Sequence, residues 1–134
     1  MTDDIKKKID VVFIAGGKFH DIDFARLEIL KLLAEDDRMK VRVFEDYSNL
    51  HAIEKADFLI TYTCDVRPTL EQQRVLKNYV SSGNRWLALH GTNSILQFMS
   101  DGKVDSPRIA PVMMETLGSQ FIAHPPIEPY NVKV

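Results

Sequence analysis

A single cysteine, Cys64, stands in 134 residues, so no intrachain disulfide can form and the fold has to rest on its core. The chain shows no charged-then-apolar leader pattern and no apolar stretch of membrane-spanning length, which makes the cytoplasm the expected compartment and a membrane partner unexpected. An excess of one charge is missing too. Seventeen Lys and Arg against 19 Asp and Glu leave a net charge of -2, with no broad attraction for nucleic acid. The one basic cluster, Lys6 to Lys8, follows Asp3 and Asp4 and reads as a solvated lead-in. Internal repeats and low-complexity segments are absent. With 45% hydrophobic and 27% charged residues, the composition fits one globular domain over 1–134 that buries a core without staples.

Several chemical signatures are lacking as well. Neither G-x-G-x-x-G nor G-x-x-x-x-G-K-[ST] occurs, which leaves Gly16-Gly17 as a turn or, less specifically, a place where backbone approaches a phosphate. No G-x-S-x-G or G-x-C-x-G elbow occurs either, so acyl transfer through a covalent enzyme and glutamine amidotransferase activity are not expected. Cys64 has Asp65 beside it, which would raise its pKa, and reads as an inert, partly buried thiol.

What is present alternates between two periods. Ile9 to Ala15 is a β-branched and aromatic run typical of a strand covered on both faces, closed by Gly16-Gly17. Phe24, Leu27, Leu30 and Leu33 recur at helical spacing behind Asp21 or Asp23 as N-cap, giving a helix that ends near Asp36. Strands near 41–45, 57–62 and 86–89 follow, separated by a short helix over Leu50 to Lys55 and a longer one opened by Thr69 and Gln72 at capping-box spacing and ended by Gly83. A helix over Ile95 to Met99, a loop over Asp101 to Pro111, a short helix over Val112 to Leu117 and a last strand from Tyr130 complete the expectation. Strands joined by helical crossovers predict a mostly parallel sheet in a three-layer α/β sandwich, flavodoxin-like in type.

Ligands of such sheets bind outside the carboxyl ends of the strands. His20 and His90 each fall directly after a strand, whereas His124 lies in a Pro-rich corner. Each imidazole could bond only a loop carbonyl, yet two on one edge suit acid–base work or contact with a hydroxyl. Asp21 could orient His20 or serve as a plain N-cap. Two imidazoles and a carboxylate are donors that a divalent metal accepts, although their spacing matches no established metal motif.

The segment Phe13-Ile14-Ala15-Gly16-Gly17-Lys18-Phe19-His20-Asp21, the strand Ala56-Asp57-Phe58-Leu59-Ile60, the helix from Leu70 to Gly83, Leu87-Ala88-Leu89-His90, and Leu117 to Pro126 occur in one order along the chain. In that order the sequence resembles the ThuA-like (trehalose-utilisation) family. The resemblance implies a fold like that of class I glutamine amidotransferases, with the nucleophilic cysteine replaced by the His90 segment, and a role in sugar or keto-sugar catabolism. His20, Asp21 and His90 are then the expected catalytic groups, and Gly16, Gly17, Thr63, Thr92, Asn93 and His124 the expected substrate contacts. The family's domains continue beyond the His124-Pro125-Pro126 corner, so a chain ending at Val134 is expected to lack the C-terminal part, to leave an edge uncovered and to associate with itself. Two other readings share the fold: a non-catalytic sugar-binding or interaction module, and a small phosphate-ligand-binding domain.

Overall fold

Val11 to Gly16 are buried without interruption, as the unbroken apolar run requires of a strand with neighbours on both sides and helices on both faces. This strand, β1 (Ile9–Gly17), is the centre of a computed structural model that describes residues 7–126 and 128–133. Lys6 of the basic cluster lies outside the described residues, and Lys7 and Lys8 are exposed. After β1 come α1 (Ile22–Leu33), β2 (Met39–Phe44), α2 (Leu50–Lys55), β3 (Phe58–Cys64), α3 (Leu70–Ser81) and β4 (Arg85–Leu89). A 3-10 turn over His90–Asn93 follows, then β5 (Gln97–Phe98), β6 (Val104–Asp105) and α4 (Pro111–Leu117).

The main sheet has the order β2-β1-β3-β4 and every pairing in it is parallel. That order is compatible with a flavodoxin-like fold, in which the chain turns to opposite sides of the sheet after β1 and after β3. Val11, Phe13 and Ala15 point to one face and pack with Ile22, Ile29, Leu30 and Leu33 of α1. Val12 and Ile14 point to the other, against Ala52 and Ile53 of α2, Leu76 and Tyr79 of α3, and Met113 of α4. The alternation of β1 is thus apolar on both sides, which is why no polar residue interrupts it.

Two local expectations are corrected. In α1 the expected Leu30 and Leu33 face the sheet together with Ile22, Ala25 and Ile29, while Phe24 and Leu27 are exposed. Both stripes have helical spacing, and on the sheet side Arg26 donates from Nη2 to the Ala15 carbonyl at 2.9 Å. Ile95 to Met99 does not form a helix. The backbone groups of Leu96 are taken by distant partners, its N–H by Asp65 Oδ1 at 2.9 Å and its carbonyl by the Arg67 guanidinium. The chain then folds into the antiparallel β5–β6 pair, closed where Gly102 N–H donates to the Met99 carbonyl and Met99 N–H to that of Lys103. No strand occurs among the described residues from Tyr130 on.

Gly16 and Gly17 are not a terminating turn but the last two positions of β1, paired with Thr63 and Cys64 of β3. A Cβ on Gly16 would overlap the carbonyl oxygen of Glu45, and one on Gly17 that of Cys64. Gly17 also has φ +110, a region closed to residues with a side chain. The pair therefore lets three backbones close together at the carboxyl edge, and neither glycine lines the cleft found there.

Candidate functional site

The carboxyl ends of β1, β3 and β4 deliver Lys18-Phe19-His20, Asp65-Val66-Arg67 and His90-Gly91-Thr92-Asn93 to one edge of the sheet. A hub of hydrogen bonds centred on Asp65 fixes them. Its side chain, only 2% exposed, accepts from Lys18 Nζ at 2.9 Å, from Leu96 N–H at 2.9 Å and from Arg67 Nε at 3.3 Å. Its own amide donates to the Ser94 carbonyl at 2.8 Å, and Lys18 N–H donates to the Cys64 carbonyl at 3.0 Å. Burial alone would push the Asp65 pKa up, but the Leu96 amide, Lys18 and Arg67 together outweigh it and hold the group below the ordinary carboxylate value.

Replacing Asp65 by Ala is expected to cost about 2–4 kcal/mol at pH 7, from a buried acceptor lost to an amide and two cations. Because the folded pKa is depressed, this contribution is present above the unfolded value near 4 and disappears as pH falls through the lower folded value. Urea titrations of wild type and Asp65→Ala should accordingly show a gap at pH 7 that narrows in acid. An equal gap at pH 3 would remove Asp65 from this role.

Beneath the turn that carries His90 lies a buried hydroxyl network. Thr92 Oγ1 donates to the Leu89 carbonyl at 2.8 Å and sits 3.0 Å from Thr61 Oγ1, which accepts from Trp86 Nε1 at 2.9 Å. Tyr47, whose pKa burial pushes up to about 12, reaches Thr63 Oγ1 at 3.5 Å. Thr63 and Thr92 are therefore interior residues that pin the turn to β3, and neither is a wall of the site. Asp21 caps α1, accepting from Phe24 N–H at 2.9 Å, and makes no hydrogen bond to His20.

His20 and His90 do meet. Their ring centroids are 4.2 Å apart at 81°, and His90 Nε2 lies 3.1 Å from His20 Nε2 and 3.4 Å from His20 Nδ1. An atom nearly equidistant from both nitrogens of a near-perpendicular ring lies over that ring, off the in-plane axes of either lone pair. The T-shaped contact sets the edge of one imidazole against the other. Tyr62 stacks on the other side of His90, with centroids 5.4 Å apart and planes 9° from parallel. His20 has its pKa lowered, first by burial and then by the charge of His90, so its neutral form is favoured.

Both imidazoles open onto a cleft of about 680 Å³ that also reaches His124. The His124 ring is 6.1 Å from that of Phe121, and its Nδ1 is 2.7 Å from the Pro125 carbonyl. Asn93 and Ser94 add polar groups, and Phe19, Leu96, Phe98, Val104, Phe121 and Ile122 supply apolar walls. Those walls escaped sequence reasoning because β5–β6 did; Phe98 and Val104 flanking Gly102 was the signal for a hairpin. Cys64 lines the cleft floor, where burial is the main cause raising its pKa, and it stands as an unactivated thiol.

Among the described residues no Lys or Arg lines the cleft, and Lys18 and Arg67 are held by Asp65. Among the described residues no three His, Cys, Asp or Glu side chains are grouped to hold a metal ion. Nor does any helix among them have the length and apolarity to cross a membrane. Neither a family model, nor a curated protein, nor a solved structure matches the chain.

Proposed function

We propose that this chain is a ThuA-like domain that takes a sugar or keto-sugar in the cleft at the carboxyl edge of its sheet, with His20 and His90 exchanging hydrogen bonds and protons with the ligand. The observation that carries the reading is the imidazole pair at 3.1 Å, opening onto a cleft between strand ends. A neutral His20 offers one ring nitrogen as an acceptor and the other as a donor to a sugar hydroxyl or carbonyl oxygen, with His90 against its ring. A donor and an acceptor side by side suit proton transfer between a hydroxyl-bearing carbon and the adjacent carbonyl. Asn93 Nδ2 donates to Ser119 Oγ at 3.0 Å, which leaves its carbonyl oxygen and second amide hydrogen for a ligand hydroxyl.

A second reading, a binding module without turnover, is favoured by the lack of a carboxylate against either imidazole. The test is nuclear magnetic resonance of the histidine rings during titration with glucose, trehalose and fructose. Saturable shifts of both His20 and His90 are expected, and sugars that leave both unchanged would defeat the proposal. Isotope exchange of the sugar's carbon-bound hydrogen with solvent would separate catalysis from binding.

A further inference from the structure

Four exposed large apolar side chains share the cleft, out of thirteen such residues among those described. Phe19 (58% exposed), Phe98 (56%), Val104 (50%) and Ile122 (77%) all line it, and a contiguous apolar surface of that kind marks a contact region rather than scattered exposure. Phe98 and Val104 are direct cross-strand partners in the β5–β6 pair, so their side chains leave the hairpin on one face. The Phe19 and Phe98 rings lie 5.5 Å apart and join the hairpin to the loop that carries His20. The hairpin is itself tied to the sheet edge through the Leu96 amide on Asp65, which makes the apolar wall part of the same scaffold as the imidazoles.

Against that wall the polar capacity is small. His20, His90, Asn93, Ser94 and His124 are the polar groups, apart from the raised-pKa thiol of Cys64, and no carboxylate lines the cleft. A bare disaccharide brings more hydroxyls than these groups can satisfy, and each hydroxyl desolvated against a phenyl ring without a partner costs binding free energy. The volume of about 680 Å³ is nevertheless that of a drug-sized ligand.

Resting on the sugar reading above, we infer that the ligand is a glycoside of a flat apolar group, an aryl aglycone, with its sugar ring at His20 and His90 and its aglycone against Phe98 and Val104. The imidazole end satisfies the hydroxyls it has room for. The phenyl and branched side chains then bury the part that has none.

The experiment compares methyl α-glucoside, 4-nitrophenyl α-glucoside and 4-nitrophenol by calorimetry, together with histidine resonances, on wild type and on a Phe98→Ser/Val104→Ser variant. Both substituted positions are exposed, so the variant should keep its fold, which circular dichroism checks. In wild type the aryl glucoside should bind about tenfold tighter than the methyl glucoside, and the variant should lose that advantage while keeping its affinity for the methyl glucoside. Equal affinities of the two glucosides in wild type, with the histidines still shifting, overturn the aglycone inference and leave the sugar reading standing. Binding of 4-nitrophenol as tight as that of its glucoside, with no response to the methyl glucoside, overturns the sugar reading itself. An advantage of the aryl glucoside that survives in the variant overturns the assignment to Phe98 and Val104.

Discussion

Gly17→Ala is expected to remove a large share of the chain's stability and to lower its urea midpoint steeply. Two independent penalties meet at this position. Its φ of +110 lies outside even the left-handed region that Asn and Asp tolerate, and a Cβ would overlap the Cys64 carbonyl oxygen. That carbonyl accepts the Lys18 N–H at 3.0 Å, so it cannot swing aside without breaking the bond that starts the His20 loop. Relief would require β1 and β3 to part at Gly16↔Thr63 and Gly17↔Cys64, in the middle of the sheet. A cost above about 4 kcal/mol is the expected scale, a large share of the ~5–15 kcal/mol that holds a domain of this kind together. Gly16→Ala should come close behind from the collision with Glu45 alone. Far-UV circular dichroism and urea titration of purified variants decide the matter, and a Gly17→Ala protein with a wild-type urea midpoint would mean that β1 and β3 do not pair in this register.

How far the fold could be read in advance depended on whether a residue's partners were near in sequence. The strand over Ile9 to Ala15 declares itself by composition, and the Thr69–Gln72 capping box forms as its spacing predicts, with Gln72 N–H on Thr69 Oγ1 at 3.2 Å and Thr69 N–H on Gln72 Oε1 at 2.8 Å. Local chemistry dictates both. The glycine pair was misjudged because the atoms that exclude a side chain there belong to Glu45 and Cys64, and no window around Gly16 contains them. The same holds for Ile95 to Met99, whose backbone is claimed by Asp65 and Arg67 about thirty positions away. In α1 twelve residues carry two overlapping apolar stripes, and spacing alone does not separate Ile22 and Ile29, which face the sheet, from Phe24 and Leu27, which do not.

The candidate site divides along the same line. His20 and His90 were legible because parallel strands send whatever follows them to one edge, whichever helices intervene. Thr63 and Thr92 follow or end strands too, but their hydroxyls point into the interior, where Tyr47, Thr61 and the Leu89 carbonyl bind them. Asp21 shows the competition most plainly. A carboxylate beside a histidine at the start of a helix has an N–H donor three residues ahead, and that near partner wins over the imidazole.

Replacing His90 by Asn should weaken sugar binding by about 10–100-fold while moving the melting temperature by no more than about 2 °C. Asn is the suitable substitute because His90 has φ +51, a left-handed conformation that Asn adopts more readily than Ala does. The small stability effect follows from the exposure of His90, whose ring contacts are Tyr62 and His20 and not the core. A pH signature separates this from a merely structural role. His20 is held below its ordinary value first by burial and second by the charge of His90, so Asn at position 90 removes the second cause and keeps the first. The His20 titration midpoint should therefore rise in the variant. Binding that needs neutral His20 is full at neutral pH and fails as pH falls through the His20 midpoint, so its acid limit should move to higher pH in the variant. The linkage to folding has the same sign: a depressed folded pKa means the unfolded chain binds more protons below about 6.5, and stability declines as pH drops through that window. Ring-proton titrations of His20 in wild type and His90→Asn, run with and without methyl α-glucoside, measure both midpoints directly. A His20 midpoint that does not move, or a variant that binds the sugar as wild type does, means that the two imidazoles touch without acting together.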